Sequence, residues 1–250
     1  MSKKTNLQNK EAAFENNYFE AFFQRIPFAR LDRLLKDSRI SLTDKTVLVC
    51  GCGQGRDVYY LEKFYRPKKI YMSDIKPSCL VQASALFPYA KAIASDNQAL
   101  ALKDNSIDYV VIGTSLHHLP EPLKGIYELL RVAKHALIVN EPNDTWLTRL
   151  FEGFGLAREY EVEHNNYVYR FRKREVEKIS KAMFYRHATS CFFATHRIAK
   201  SRLEFIFLCF LNRIANLVYP SLGNYILFVI IKEKVMPKCF RKKNEVTAAA

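Results

Sequence analysis

Three of the chain's eight glycines fall within five residues, Gly51-Cys52-Gly53-Gln54-Gly55. The cluster directly follows Thr46-Val47-Leu48-Val49-Cys50, a short apolar run that suits a strand buried on both faces. Arg56 to Phe64 then reads as a helix. Strand, glycine turn and helix in this order let backbone approach a ligand closely beyond the strand's carboxyl end, where the helix offers unpaired N–H groups. The turn is not the dinucleotide pattern G-x-G-x-x-G, because Arg56 stands in place of the third glycine. Nor is it a P-loop, since no Gly-Lys-Ser/Thr follows.

The alternation continues. Lys69 to Ser73 reads as a second strand, ending at Asp74, and Pro77 to Phe87 as a helix. Lys91 to Ala94 is a weak third strand ending at Ser95-Asp96, and Tyr109 to Gly113 a fourth. Glu121 to Val132 is a helix with Leu123, Ile126, Leu129 and Leu130 on one side, and His135 to Asn140 is a fifth strand. Strands alternating with helices predict an α/β fold, a doubly wound, mostly parallel sheet with right-handed crossovers. Before it, residues 1–10 read as a tail, and residues 11–38 as amphipathic helices interrupted near Pro27. After Asn143 the pattern changes. Residues 146–186 look helical and irregular, Arg197 to Val218 reads as an unusually apolar helix, and Tyr225 to Ile231 as a last strand. Ser190 to Thr195 is the expected partner of that strand in a C-terminal antiparallel hairpin.

The net charge is +14, from 39 basic and 25 acidic residues. Residues 146–250 hold 19 of the basic and 9 of the acidic groups, whereas residues 46–145 are nearly balanced at 11 and 10. A basic excess invites nucleic acid or an anionic membrane as partner. Here it belongs to the C-terminal part and not to the glycine turn. The six cysteines are scattered in a chain large enough to fold without staples, which predicts free thiols in a reducing compartment. Cys50-Gly51-Cys52 is too short for a zinc half-site, and no metal set is expected. The basic, polar first ten residues predict no secretory signal, and the stretch Leu203–Ile231 is too interrupted for a transmembrane helix. The expected location is cytoplasmic, with peripheral membrane contact left open.

In a doubly wound sheet, ligands bind beyond the carboxyl ends of the strands. Asp74, about 20 residues after the turn, is placed to accept from ribose hydroxyls, and Asp96 could reach the exocyclic amine of a base. Each carboxylate alone is most often a helix cap. Together, in this order, they ask for an adenosine ligand without a pyrophosphate.

Val47 to Gly55 resembles the first motif of class I S-adenosylmethionine-dependent methyltransferases. Asp104-Asn105-Ser106-Ile107-Asp108-Tyr109-Val110-Val111 followed by Leu116-His117-His118-Leu119 resembles the fourth-strand motif of the type-11 subgroup, with Arg131 to Lys134 at its pre-strand turn. The resemblance implies a Rossmann-like core over residues 41–145 that binds S-adenosyl-L-methionine. It implies Gly51, Cys52, Gly53, Gln54 and Gly55 at the cofactor turn, the first three lining the methionine part. Asp74 would then hold the ribose, Ile75 would lie against adenine, and Asp96 with Asn97 would sit at the adenine amine. Thr114 and Ser115 would approach the methionine amine. The family's usual acid two places before the first glycine is replaced by Val49, which implies weaker cofactor binding or a substitute acid elsewhere.

Methyl transfer from a sulfonium needs mainly alignment and exclusion of water, and a base only where the acceptor loses a proton. His117 and Glu141 are the candidates for that base, each with a structural or capping role as the alternative. Around the core, residues 1–40 form an N-terminal helical cap, 146–222 a helical, basic insertion on the acceptor side, 223–235 the final core strand and 236–250 a tail. Glu161 to Arg174 mixes His164, Tyr167, Tyr169, Arg170, Phe171 and Arg172, a combination that can stack on rings or clamp phosphate, or can be a solvated basic face. The Phe205–Leu211 helix could rest on an anionic membrane, cover a lipid-like acceptor, or be buried against the sheet or a second copy. The expected acceptor is a small molecule, glycan or lipid-linked compound, methylated at oxygen. RNA methylation and a non-catalytic binding protein are the alternatives, with nucleic acid less favoured because no RNA-binding appendage is present. The oligomeric state is not legible.

Overall fold

The computed structural model describes residues 10, 13–14, 18–155, 157–162, 165–194 and 201–236, with 18–25 as backbone only. The strands are β1 Thr46–Cys50, β2 Lys69–Asp74, β3 Lys91–Ala94, β4 Ile107–Gly113, β5 Ala133–Pro142, β6 Tyr160–Glu161, β7 Asn166–Tyr167, β8 Tyr185–Phe192 and β9 Tyr225–Lys234. The α-helices are α1 Tyr18–Asp37, α2 Arg56–Tyr65, α3 Pro77–Leu86, α4 Pro122–Val132, α5 Trp146–Gly153, α6 Lys173–Ala182 and α7 Arg202–Val218. Short 3-10 turns occupy Leu116–His118 and Pro220–Leu222.

Seven strands form one sheet in the order β3-β2-β1-β4-β5-β9-β8, and β6 pairs with β7 separately. β1 to β5 are parallel, and β9 runs antiparallel to both β5 and β8. This is the expected doubly wound α/β architecture with a C-terminal antiparallel hairpin. Its logic is visible in β1, where Val47 and Val49 enter one core while Leu48 and Cys50 enter the other. A strand covered on both faces needs apolar side chains at every position. Chain order reverses between β1 and β4, so their carboxyl ends frame the crevice where such sheets bind ligands.

Two expectations change in detail. The break near Pro27 is absent, because α1 runs through it. Proline removes one backbone hydrogen bond. The next turns are held by burial of Phe28, Leu31, Leu34 and Leu35 in the same core as β1. The partner of β9 is Tyr185–Phe192, in place of Ser190–Thr195, and Thr195 lies outside the described residues. β8 is an edge strand with mostly half-buried side chains, so no continuous apolar run marks it. The apolar C-terminal helix is described from Arg202 to Val218; residues 197–200 lie outside the described set, as does His164.

Candidate active site

The glycine turn is tied to both neighbouring strands. Cys52 N–H donates to the Ser73 carbonyl at 2.9 Å, and Gly53 N–H to Asp74 Oδ2 at 2.9 Å. The other Asp74 oxygen accepts from Lys76 N–H at 2.9 Å. Asp74 is therefore buried and oriented by backbone, and each of its oxygens keeps a further lone pair. Gly51 has φ +58°, and a Cβ there would lie 2.4 Å from Ser115 Oγ. Only glycine fits both the dihedral and the space. Ser115 Oγ donates to the carbonyl of Gly51 or Gly113, at 3.2 and 3.1 Å, which brings the turn after β4 against the turn after β1.

The other expected cofactor residues lie around this point. Asn97 is buried beside Gly51, and its Oδ1 has no hydrogen-bond partner. A buried carbonyl oxygen in that condition calls for a donor such as an amine or hydroxyl. Asp96 Oδ1 accepts from Gln98 N–H at 2.8 Å, a local turn that fixes its carboxylate. Ile75 is two-thirds exposed (66%) and Gln54 is exposed. Thr114 sits at φ +49°, its N–H donating to the Asn140 carbonyl at 2.7 Å. That strained residue turns the chain from β4 into the 3-10 turn.

His117 and Glu141, separate candidates in the sequence, meet here. Glu141 is fully buried; its Oε1 accepts from the N–H groups of Ser115 and Leu116, at 2.8 and 2.7 Å. Its Oε2 lies 2.6 Å from His117 Nδ1. A carboxylate can only accept, so Nδ1 carries the proton and Nε2 is the free position of the neutral ring. Burial lowers the His117 pKa, but the hydrogen bond and charge of Glu141, with Glu161 adding, raise it overall. Glu141 thus serves as cap of the 3-10 turn and as orienting group for the imidazole. The Tyr225 phenol at the start of β9 is pushed up by burial and then by the Glu141 charge, so it stays protonated.

Two groups were not picked out in the sequence. Asp57, in the first turn of α2, reaches under β4, where a Cβ on Gly113 would lie 2.5 Å from its Oδ2. Burial raises its pKa, Glu141 adds to this, and Arg56, 3.5 Å away, opposes it. The second is Glu161 on the β6–β7 hairpin, whose Oε2 lies 3.7 Å from His117 Nε2 and 3.2 Å from His118 Nδ1. Asp57 could have been noticed from its place one turn after the glycines. No signal in the sequence connects Glu161 to His117. The described cysteines are free, as expected, and burial pushes the Cys52 thiol up to about 12.

A mostly parallel sheet in the order β3-β2-β1-β4-β5-β9-β8, with β9 antiparallel and a glycine turn at the switch point, is a Rossmann-like fold that the solved methyltransferases below resemble. Residues 48–136 match the type-11 family model described as "Methyltransferase domain". A demethylmenaquinone methyltransferase of Staphylococcus aureus is 31% identical over 106 residues, which cover 41% of this chain and 44% of that protein. The match thus spans less than half the length of the relative. Among solved structures, the magnesium protoporphyrin IX methyltransferase of Synechocystis PCC 6803 with bound SAH has a TM-score of 0.57 at 17% identity, covering 86% of each chain. A SAM-dependent methyltransferase from Archaeoglobus fulgidus has a TM-score of 0.55 at 16% identity, covering 86% of this chain and 98% of that one. At these identities the likeness is one of fold.

Proposed function

We propose that the protein is an S-adenosylmethionine-dependent methyltransferase that modifies an oxygen of a lipid-linked or other apolar small acceptor. The observation that carries the cofactor reading is the convergence of Gly51, Asp74, Asn97 and Ser115 at the switch point, with the Asn97 carbonyl oxygen unpartnered. These residues fit the group. The Gly51–Gly53 backbone would line its methionine part, Asp74 its ribose, and Asn97 with Asp96 and Ile75 its adenine. Asp57 is the nearest equivalent of the acid that Val49 replaces, and would hold the amine. The cofactor supplies a methyl already activated on sulfonium. The chain supplies alignment and a dry wall, most of what a direct displacement needs. Where the acceptor must lose a proton, His117, oriented by Glu141, takes it at Nε2.

The acceptor reading rests on α7. It has no buried residue, and Leu203, Ile206, Phe207, Phe210, Leu211, Ile214 and Leu217 are exposed. A cavity of about 650 Å³ between α1 and α7 is lined by Ile26, Arg30, Phe210, Arg213 and Leu217 among others. No described helix is long and apolar enough to cross a membrane. An apolar helix face in a basic region suits contact with an anionic bilayer from which an apolar acceptor is drawn. Similarity to an enzyme named for demethylmenaquinone supports an apolar acceptor.

Calorimetry with S-adenosylmethionine tests the cofactor reading; no binding at millimolar concentration overturns it. Transfer of labelled methyl groups into lipid extract supports the acceptor reading, and label in RNA alone overturns it. Cofactor binding without transfer to any extract identifies a binding protein.

A further inference from the structure

Three electron-rich atoms converge beside the 3-10 turn. His117 Nε2, His118 Nδ1 and a Glu161 carboxylate oxygen all lie within 4.8 Å of one another. Two of the separations are 3.7 and 3.2 Å, both to Glu161 Oε2. That oxygen is buried and accepts no hydrogen bond. Four ligands at zinc bond lengths of about 2.0–2.1 Å stand roughly 3.3 Å apart at tetrahedral angles.

The surroundings match as well. Glu141 grips His117 Nδ1 at 2.6 Å, the carboxylate–histidine support that fixes a ligand's tautomer and raises its basicity. Asn166 lies on the other side, its Nδ2 donating to the His117 carbonyl at 3.2 Å and its Oδ1 accepting from His118 Nδ1–H at 3.2 Å, a proton that a metal ion would displace. Arg170, whose charge acts on His117, is drawn off by Glu152 and donates to the Arg158 carbonyl at 2.5 Å. His118 and Glu161 keep about a third and a quarter of their side-chain surface exposed (34% and 26%), so the cluster opens to solvent on one side.

We propose that His117, His118 and Glu161 bind one divalent transition-metal ion of the zinc type, with the fourth position open to water or a ligand oxygen. A proton on one imidazole relieves one edge of this triangle, whereas a metal satisfies all three corners. Three protein ligands with an open position are the pattern of reactive rather than structural zinc. Metal and proton compete for His117 Nε2, so the loaded protein is one in which that nitrogen is no base. Metal binding itself does not depend on the methyltransferase reading.

Chelator-stripped full-length protein, without S-adenosylmethionine, is titrated with Zn(II) by calorimetry and with Co(II) by visible absorption. The expected result is one saturable site at micromolar or tighter affinity, with tetrahedral ligand-field bands and no thiolate charge-transfer band. His118→Ala and Glu161→Gln should each weaken binding by about a hundredfold or more, with the metal-free melting curve retained. If His118→Ala does not fold, Glu161→Gln, on an exposed hairpin, decides. Absence of saturable binding, a thiolate band, or wild-type affinity in the folded variants overturns the proposal.

Discussion

Glu141 at the end of β5 closes on His117 in the turn after β4, with Oε2 2.6 Å from Nδ1 and the other oxygen capping Ser115 and Leu116. One buried carboxylate thereby sets both the backbone and the ring orientation at the centre of the site. The His117 pKa is raised in the fold. Stability from this pair is fully present below the ordinary histidine value of 6.5 and is lost as pH rises through the raised one. Urea denaturation at pH 6 and pH 9 should therefore show a larger wild-type advantage over Glu141→Gln at pH 6. Glu141→Ala, which also strips two N–H groups of their acceptor, should cost about 3 kcal/mol at neutral pH. Equal wild-type advantages at the two pH values would show that the ring does not gain its proton affinity from Glu141.

Gly51 and Gly53 share a positive φ but not a neighbourhood. A Cβ on Gly51 strikes Ser115 Oγ, whereas one on Gly53 meets nothing within 4 Å. Gly53→Ala should cost only the left-handed backbone penalty, about 1 kcal/mol. Gly51→Ala adds the clash, roughly 2–3 kcal/mol in all, and should also weaken S-adenosylmethionine binding at least tenfold. Thermal melting and calorimetry on both variants check the contrast.

Asp57 has its pKa raised by burial. An acid favoured in its protonated form loses stability for the fold as pH rises from the ordinary value of 3.8 through the raised one. Asp57→Asn should therefore melt higher than wild type at pH 7. If Asp57 holds the cofactor amine, the same variant binds S-adenosylmethionine more weakly. Stability gained together with unchanged affinity would remove Asp57 from the cofactor site.

Glu128 and Arg131 form a fork in α4. Arg131 donates to both Glu128 oxygens at 2.7 Å, to Asp104, and to the carbonyls of Leu100 and Leu102. The hydrogen bond from Arg131 holds Glu128 below its ordinary 4.5. That contribution is present above pH 4.5 and disappears as pH falls through the lowered value. Glu128→Gln should cost about 1 kcal/mol at pH 7, and the difference from wild type should vanish in acid titration.

The α7 face should separate stability from surface binding. Phe207 and Phe210 are 58% and 60% exposed. Changing both to Ser should alter unfolding free energy by no more than about 0.5 kcal/mol each, while cutting co-sedimentation with anionic vesicles severalfold. Wild-type binding should fall as salt rises, because basic residues supply part of the attraction. Vesicle binding that survives both substitutions would place the membrane contact elsewhere.

Periodicity and the glycine cluster were enough to read β1, β2, β4 and β5, because a strand covered on both faces writes its burial as an apolar run, whereas β3, an exposed edge strand, was legible only weakly and from its place in the alternation. β8 was misplaced for the converse reason, since an edge strand with half-buried side chains carries no such run. The glycine turn, Asp74 and Asp96 could be placed from spacing, as the chain visits the carboxyl end of each strand in order, whereas Asn97 was named only through the resemblance to the methyltransferase motifs. The N-terminal break was misjudged at Pro27, where packing of Phe28 and Leu31 outweighs the missing hydrogen bond.

Sequence by itself determined the alternation of parallel strands and helices and the position of the glycine turn, Asp74 and Asp96 at strand ends, because these depend on local pattern. Only tertiary structure decided that Glu141 holds His117, that Asp57 lies under Gly113, and that Glu161 comes to face two histidines. Those contacts join residues on different elements, and their geometry depends on how strands and hairpin pack in space.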